Sequence, residues 1–239
     1  MFERDIISQL AAWKTDTNRK PLVVHGARQV GKTWTLKYFG REYFDDVAYF
    51  SLDKDESGLC DVFRTTKDPQ RIIQHLSFLH GKKIEPQTTL LILDEIQECN
   101  EALNALKYFC EEAPEYAVAC AGSLLGIYLN HVGKSFPVGK VNHLYMYPLT
   151  FTEFLRTKDP VMHEYMHSID KVEPLPQIFF DKLRESFTAY SICGGMPEPA
   201  TLMVDFNDME RVDSALQDIL NDYCLLYTSP SPRDVEESR

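Results

Sequence analysis

The fold is decided by the stretch Gly26-Ala27-Arg28-Gln29-Val30-Gly31-Lys32-Thr33, which reads G-x-x-x-x-G-K-[ST], the phosphate-binding loop or P-loop. It follows an apolar run, 22–24, and precedes a stretch of helical character, 32–39. This strand–loop–helix setting is the one that the motif needs. The two glycines let successive backbone N–H groups turn into one concavity that holds phosphate oxygens. We therefore expect these eight positions, 26–33, to bind a nucleotide.

Two side chains of the loop have specific expected roles. Lys32 can reach the β- and γ-phosphates of ATP, and the Thr33 hydroxyl can ligate Mg²⁺. The positive end of the helix that begins here adds to the field that the phosphates meet. ATP and Mg²⁺ are therefore the expected cofactors.

A second motif, T-T-L-L-I-L-D-E at 88–95, adds chemistry to binding. Its unbroken apolar run predicts a central parallel strand, and ligand sites in such sheets lie at the carboxyl ends of the strands. There we expect Asp94 to hold Mg²⁺, directly or through water, and Glu95 to act as the general base that polarises the attacking water. A strand that merely ends in two acidic residues is the alternative, but the spacing and the P-loop favour the site.

A third apolar run, 116–123, ends in a small polar residue, Ser123. In P-loop ATPases with a catalytic Glu, a strand is inserted between the loop strand and the acidic strand. Ser123 is our candidate for the residue at its tip that senses the γ-phosphate or helps to place the water. A Gly-Ser pair that only makes a turn is the alternative interpretation.

The order of these segments predicts an α/β fold, a P-loop NTPase of the catalytic-Glu type whose parallel sheet of about five strands is flanked by helices. Strands are predicted at 22–24, 47–52, 88–95, 116–123 and 141–147. Helices are predicted at 2–13, 32–39, 69–79, 101–110, 165–170 and 178–193, within a mainly helical region that begins at 151. A further helical stretch is predicted after the break at 194–198, up to about 223. We expect an ATPase domain over 1–147 and a small helical subdomain over 148–223.

Composition limits the function. The 239-residue chain can hold one α/β domain and a smaller one, and its 44% hydrophobic content is typical of a packed globular protein. The net charge of −11 gives no general basic surface for nucleic acid, which leaves only a local patch open. The uncharged stretch 116–133 is interrupted by glycines and polar residues, so we expect no membrane partner.

The six cysteines, at positions 60, 99, 110, 120, 193 and 224, form no C-x-x-C pair. We interpret them as the reduced thiols of a cytoplasmic protein rather than as a disulfide framework. Zinc is not expected, because the histidines do not fall at ligand spacing near them. No signal peptide is visible, since charges at Glu3, Arg4 and Asp5 interrupt the start.

Further segments surround the two motifs in order. They are L-I-L-D-E-I-Q-E-C (91–99), L-K-Y-F-C-E-E-A-P (106–114), A-G-S-L-L-G (121–126), S-F-P-V-G-K-V (135–141), Y-P-L-T-F-T-E-F (147–154) and G-G-M-P-E (194–198). With the P-loop, they resemble prokaryotic AAA-like ATP-binding proteins that join a P-loop ATPase domain to a C-terminal domain of unknown function. The resemblance covers residues 1–223.

The resemblance implies a cytoplasmic ATPase with a catalytic Glu that switches or remodels an unknown macromolecular target. It matches Gly26, Gly31, Lys32, Thr33, Asp94 and Glu95 to the ATP site and Ser123 to a sensor-like position. Many relatives carry Arg at the position of Lys140. Lysine can replace the charge of such an Arg but not its planar fork, so no arginine finger is assigned. A homo-oligomer, in which a neighbouring subunit supplies an arginine, is left open.

The end of the sequence has a different character. C-L-L-Y-T-S-P-S-P-R-D (224–234) agrees residue by residue with one reading frame of a transposase-based sequencing adapter. We expect residues 224–239 to be read-through of library DNA, with the family's C-terminal domain missing. An ordinary polar tail is the alternative.

Three functions stay open at this point. The first is Mg²⁺-dependent ATP hydrolysis that drives a conformational switch or remodelling. The second is a nucleotide-gated interaction module with little intrinsic hydrolysis. The third is a nucleic-acid-associated ATPase that acts through the missing C-terminal domain, a reading that the acidic net charge does not support.

Overall fold

The computed structural model describes residues 2–53, 58–122, 137–171 and 174–228. Among these residues, the strands are β1 (Leu22–His25), β2 (Asp46–Ser51), β3 (Thr89–Asp94), β4 (Ala117–Ala121) and β5 (Asn142–Tyr145). The α-helices are α1 (Ile6–Thr15), α2 (Lys32–Tyr43), α3 (Leu59–Thr65), α4 (Pro69–His80), α5 (Asn100–Glu112), α6 (Phe151–Lys158), α7 (Pro160–His167), α8 (Gln177–Cys193), α9 (Pro197–Phe206) and α10 (Met209–Thr228).

The strands form one parallel sheet in the order β2-β3-β4-β1-β5. Ala119 of β4 pairs with Leu22 of β1 on one side and with Ile92 of β3 on the other. The strand β4, which lies in the third apolar run, is therefore inserted between the loop strand and the acidic strand. This confirms the predicted fold class, a parallel α/β sheet flanked by helices.

Helices cover both faces of the sheet. Successive residues of a strand point to opposite faces, so the apolar side chains of β3 need helices on each side to be buried. On one side, Leu91 of β3 lies in a buried cluster with Leu76 of α4 and Leu106 of α5. On the other side, α2 packs so closely that a Cβ on Gly40 would lie 3.2 Å from a methyl carbon of Leu90. The central strand β3 is buried along its whole length, as its unbroken apolar run predicts.

The chain packs as two compact units. One is Arg4–Tyr147, which contains the sheet, and the other contains the residues from Pro148 onward together with Phe2 and Glu3. The domain bounds 1–147 and 148–223 stay predictions, because compact packing does not test whether either part folds alone.

The second unit has its own core and a clear helix start. Thr150 and Glu153 form a capping box, in which each side chain binds the backbone N–H of the other residue at the beginning of α6. Its core residues are Phe2, Leu149, Phe154, Cys193, Ala200, Met203 and Val212.

Two helices of the fold differ from the predictions. The short helix α3 was not predicted, because its few residues give too little periodicity to separate it from a loop. Helix α7 begins at Pro160, before the predicted start at 165, and ends at His167, before the predicted end at 170. Its start is marked by Asp159, whose carboxylate accepts the N–H of Met162, and by Pro160 at the first helical position.

The last described helix, α10, continues past Tyr223 to Thr228. The origin of residues 224–239 stays a prediction. Neither α10 nor any other helix in the described ranges has the length and apolar character needed to cross a membrane.

The structure corrects the interpretation of the cysteines. Cys60 on α3 and Cys99 before α5 form a disulfide with a Cα–Cα distance of 5.9 Å. The sequence interval of 39 residues gives no sign of this pair, because the packing of α3 against α5 brings the two together. Cys110, Cys120 and Cys193 are free thiols. Disulfides persist mainly in oxidising compartments, so this bond gives no support to the cytoplasmic location, which stays a prediction.

The disulfide yields a first prediction. Closing a loop of this length stabilises a fold by about 4 kcal/mol in the chain-entropy treatment, so reduction should lower the free energy of unfolding by about 2–4 kcal/mol. Urea unfolding with and without reductant measures this difference. A double variant, Cys60→Ser with Cys99→Ser, should be insensitive to reductant. Alkylation of all six cysteines in unreduced, denatured protein would show that the bond does not form.

Candidate nucleotide-binding site

The P-loop lies between the end of β1 and the start of α2. Gly26 has φ +153° and Gly31 has φ +93°, so both positions use backbone that favours glycine. A Cβ on Gly26 would lie 2.3 Å from the carbonyl oxygen of Met146, which follows β5. The P-loop therefore packs directly against the backbone segment that follows β5, and the first glycine permits this close approach.

The loop residues between the glycines differ in exposure. Ala27, Arg28 and Gln29 are exposed, whereas Val30 is buried. The Val30 carbonyl accepts a hydrogen bond of 3.0 Å from the guanidinium of Arg4, which also donates to the Tyr147 carbonyl at 2.6 Å. Arg4 thus ties the loop to the chain segment after β5.

Lys32 begins α2 and is only 6% exposed. Its ammonium donates to the carbonyl oxygens of Gly26 at 2.9 Å and Ala27 at 2.7 Å. Burial lowers the pKa of this ammonium, and the nearby carboxylates of Glu95 and Asp94 oppose the shift. The Lys32 ammonium therefore lies inside the loop, and the carboxylates of Asp94 and Glu95 are close enough to affect its pKa.

Asp94 lies at the carboxyl end of β3 and accepts three hydrogen bonds. Its Oδ2 accepts the Thr33 hydroxyl at 2.7 Å and the Tyr49 hydroxyl at 3.0 Å, and its Oδ1 accepts the Glu95 N–H at 3.1 Å. The structure thus brings Thr33 and Asp94 together. A hydroxyl and a carboxylate are hard oxygen ligands of the kind that Mg²⁺ prefers, so this donor set fits the expected cation.

Tyr49 stays a hydrogen-bond donor over a wide pH range. Burial and the charge of Asp94 raise the pKa of its phenol to about 12. The proton is therefore retained at neutral pH, and the phenol donates to Asp94 rather than repelling it.

Glu95 adopts a left-handed backbone conformation, with φ +49°, just before a short 3₁₀ turn, Ile96–Glu98. Its Oε2 accepts a hydrogen bond of 2.5 Å from the amide of Gln97. The carbonyl oxygen of that buried amide has no hydrogen-bond partner among the described residues. Gln97 thus holds the carboxylate of the predicted general base.

Two positions of interest are less informative. Ser123 lies outside the described residues, so its role stays a prediction. Lys140 forms an ion pair of 2.9 Å with Glu111 on α5.

Three residues of the site were not predicted: Arg4, Tyr49 and Gln97. Arg4 had no signal, because a basic residue at the start of an amphipathic helix is ordinarily solvated. Tyr49 could have been found from the parallel pairing, because it lies near the carboxyl end of the strand next to the acidic strand. Gln97 follows Glu95 by two residues, a distance at which side-chain contact depends on the local turn.

The fold and the loop geometry define the chain as an α/β P-loop protein. A family model described as an AAA domain matches residues 18–155, which is more than half of the chain. The chain belongs to this AAA domain family, which confirms the resemblance to AAA-like P-loop ATPases. A prokaryotic origin and a further C-terminal domain stay predictions. Comparison with curated proteins finds no match.

Two solved structures are similar at low identity. PCH-2 of C. elegans is 13% identical with a TM-score of 0.48, and the match covers 90% of this chain and 68% of that one. The Aeropyrum pernix ORC1 protein, solved in complex with DNA, is 13% identical with a TM-score of 0.38, over 79% of this chain and 65% of that one. The chain thus spans about two thirds of each, and likeness at this level says nothing about function.

The close seating of the loop yields a second prediction. Gly26→Ala should lower the free energy of unfolding by at least about 2 kcal/mol, because its methyl group meets a backbone oxygen that cannot easily move. It should also weaken nucleotide binding, since the loop must shift. Urea unfolding and titration with a fluorescent ATP analogue measure the two effects.

Gly139→Ala is the matched control. Gly139 has φ +73°, but a Cβ there meets nothing within 4 Å. Only the backbone strain remains, about 1 kcal/mol. Equal effects of the two substitutions would contradict the role given to the close approach at Gly26.

Proposed function

We propose that the chain is an Mg²⁺-dependent ATPase that uses ATP hydrolysis to switch or remodel a macromolecular target. The observation that carries the proposal is the hydrogen bond between Thr33 and Asp94 beside the buried ammonium of Lys32. This hydrogen bond joins the P-loop helix to the acidic strand at the carboxyl ends of the strands, where ligands of parallel sheets bind.

Binding would depend mainly on the loop. The backbone N–H groups of 26–33 would hold the phosphate oxygens, and Lys32 would exchange its two carbonyl partners for the β- and γ-phosphates. Positioning of this kind removes much of the entropic barrier before the reaction.

Thr33 and Asp94 would hold the cation. When bound, Mg²⁺ offsets negative charge on the phosphates during transfer. Asp94 is 5% exposed, so its carboxylate is shielded from competing water and keeps a fixed direction.

Glu95 would take a proton from the attacking water. Glu95 follows the last residue of β3 directly, and its carboxylate is close enough to Lys32 to oppose the lowering of the pKa of that ammonium. Release of its carboxylate from Gln97 would free one oxygen for the water.

The nucleotide-gated module is the second candidate, and one observation favours it. Two of the predicted catalytic side chains are engaged by the protein itself, Lys32 by loop carbonyls and Glu95 by Gln97. Hydrolysis would then be slow and would serve as a timer. Single-turnover phosphate release distinguishes the two candidates, because a timer keeps its bound ATP intact long after binding is complete, whereas a remodelling ATPase hydrolyses it soon after binding.

The assigned roles yield a third prediction. Lys32→Ala should weaken ATP binding, because the phosphates lose their buried cation. Glu95→Gln should keep ATP binding within about twofold and lower the rate of phosphate release by about 10²–10⁴-fold, the usual contribution of a general base. Equilibrium binding of a fluorescent ATP analogue and a phosphate-release assay measure the two quantities.

Glu98→Gln is the matched control for Glu95→Gln. Glu98 lies in the 3₁₀ turn that follows Glu95, and its side chain is exposed. The substitution therefore removes one carboxylate charge but leaves the predicted general base in place. Its rate should equal that of the unmodified chain. Equal loss of binding in Lys32→Ala and Glu95→Gln would refute the separate roles.

A further inference from the structure

One hydroxyl at the site has no part in the function proposed above. Tyr49 donates to Asp94 Oδ2 at 3.0 Å, the same oxygen that accepts Thr33 at 2.7 Å. The other oxygen of Asp94 accepts the Glu95 N–H. The carboxylate is thus fixed from three directions, and among its partners in the described part of the chain Tyr49 belongs neither to the P-loop helix nor to the acidic segment.

The sheet explains why a tyrosine reaches this point. In the parallel pairing of β2 with β3, Tyr49 lies opposite Ile92, and Ser51 lies opposite Asp94. The hydroxyl must therefore extend two residues along the strands, which is about 6.6 Å. A phenol ring spans this length, whereas a serine or threonine at the same position does not.

A second contact fixes the ring. The ammonium of Lys37 lies 3.3 Å from the centroid of the Tyr49 ring. Lys37 is on α2, one helical turn after Thr33, so both residues project from the same side of the helix. A cation over an aromatic face is attractive, and here it holds the phenol against Asp94.

We propose that Tyr49 is a positioning residue that orients the Asp94 carboxylate for the divalent cation, and that Lys37 holds Tyr49 in place. The inference rests on the proposed function, since it assigns the cation to Thr33 and Asp94. Once Thr33 is a ligand, Tyr49 is the remaining hydroxyl that constrains Asp94. Partners of this kind around a ligating carboxylate typically change metal affinity by 10–100-fold when they are removed.

The alternative is that Tyr49 only fills space at the edge of the sheet. Phenylalanine has the same ring, so it would serve that purpose equally well. Tyr49→Phe therefore separates the hydroxyl from the packing.

The test measures cation binding rather than turnover. The full chain is titrated with Mn²⁺, a paramagnetic substitute for Mg²⁺, in the presence of ADP, and bound Mn²⁺ is followed by electron paramagnetic resonance. In Tyr49→Phe the half-saturating Mn²⁺ concentration should rise by about tenfold. ADP binding in EDTA should stay within twofold, because no cation takes part.

Two further variants complete the design. Tyr43→Phe removes a hydroxyl from an exposed tyrosine at the end of α2 and should leave the Mn²⁺ titration unchanged. Lys37→Met keeps the stem but removes the cation, and it should raise the half-saturating Mn²⁺ concentration by a smaller factor, about threefold. It also tests the inference by a second route if Tyr49→Phe folds poorly.

The outcomes distinguish a wrong cation site from a wrong role for Tyr49. If the ADP-bound, unmodified chain shows no saturable Mn²⁺ binding beyond that of ADP alone, the proposed cation site is wrong, and the role of Tyr49 is wrong with it. If the unmodified chain binds Mn²⁺ and a folded Tyr49→Phe binds it equally well, the positioning role alone is overturned. If Tyr49→Phe does not fold, equal binding by Lys37→Met overturns it.

Discussion

The site depends on the carboxylate of Asp94, which joins the end of the acidic strand to the start of the P-loop helix. Its hydrogen bond with Thr33 links the last residue of β3 to the first turn of α2. A charge so deeply buried is tolerated only with hydrogen-bond partners, and Asp94 has three of them. The parallel direction of the strands meets the same requirement, because β3 and β1 both end on the side of the sheet where this contact forms.

Much of the fold was predictable because its signals are local. The P-loop is a contiguous motif, and β3 is an unbroken apolar run, so the sequence indicates a buried parallel strand before any tertiary contact is known. Even the insertion of β4 between β1 and β3 was expected, although from the catalytic Glu rather than from β4 itself. Helix α3 and the start of α7 were missed, because their few residues give weak periodicity.

The parts of the site that were not predictable depend on packing. Tyr49 and Asp94 meet only because β2 pairs with β3 in one register, and a sequence does not state its register. Arg4 reaches the P-loop from 26 positions away, which no local pattern encodes. The disulfide between Cys60 and Cys99 also depends on packing, because the contact between α3 and α5 brings the two thiols together.

The guanidinium of Arg4 has a consequence for how a nucleotide is received. It is 7% exposed and holds the Val30 carbonyl of the loop together with the Tyr147 carbonyl after β5. The loop is thus ordered by folding, and the conformational entropy that a flexible phosphate loop would lose on binding has already been lost. The nucleotide then binds to a loop that is already in place. Its affinity depends on how well the phosphates fit the loop and not on the cost of ordering it.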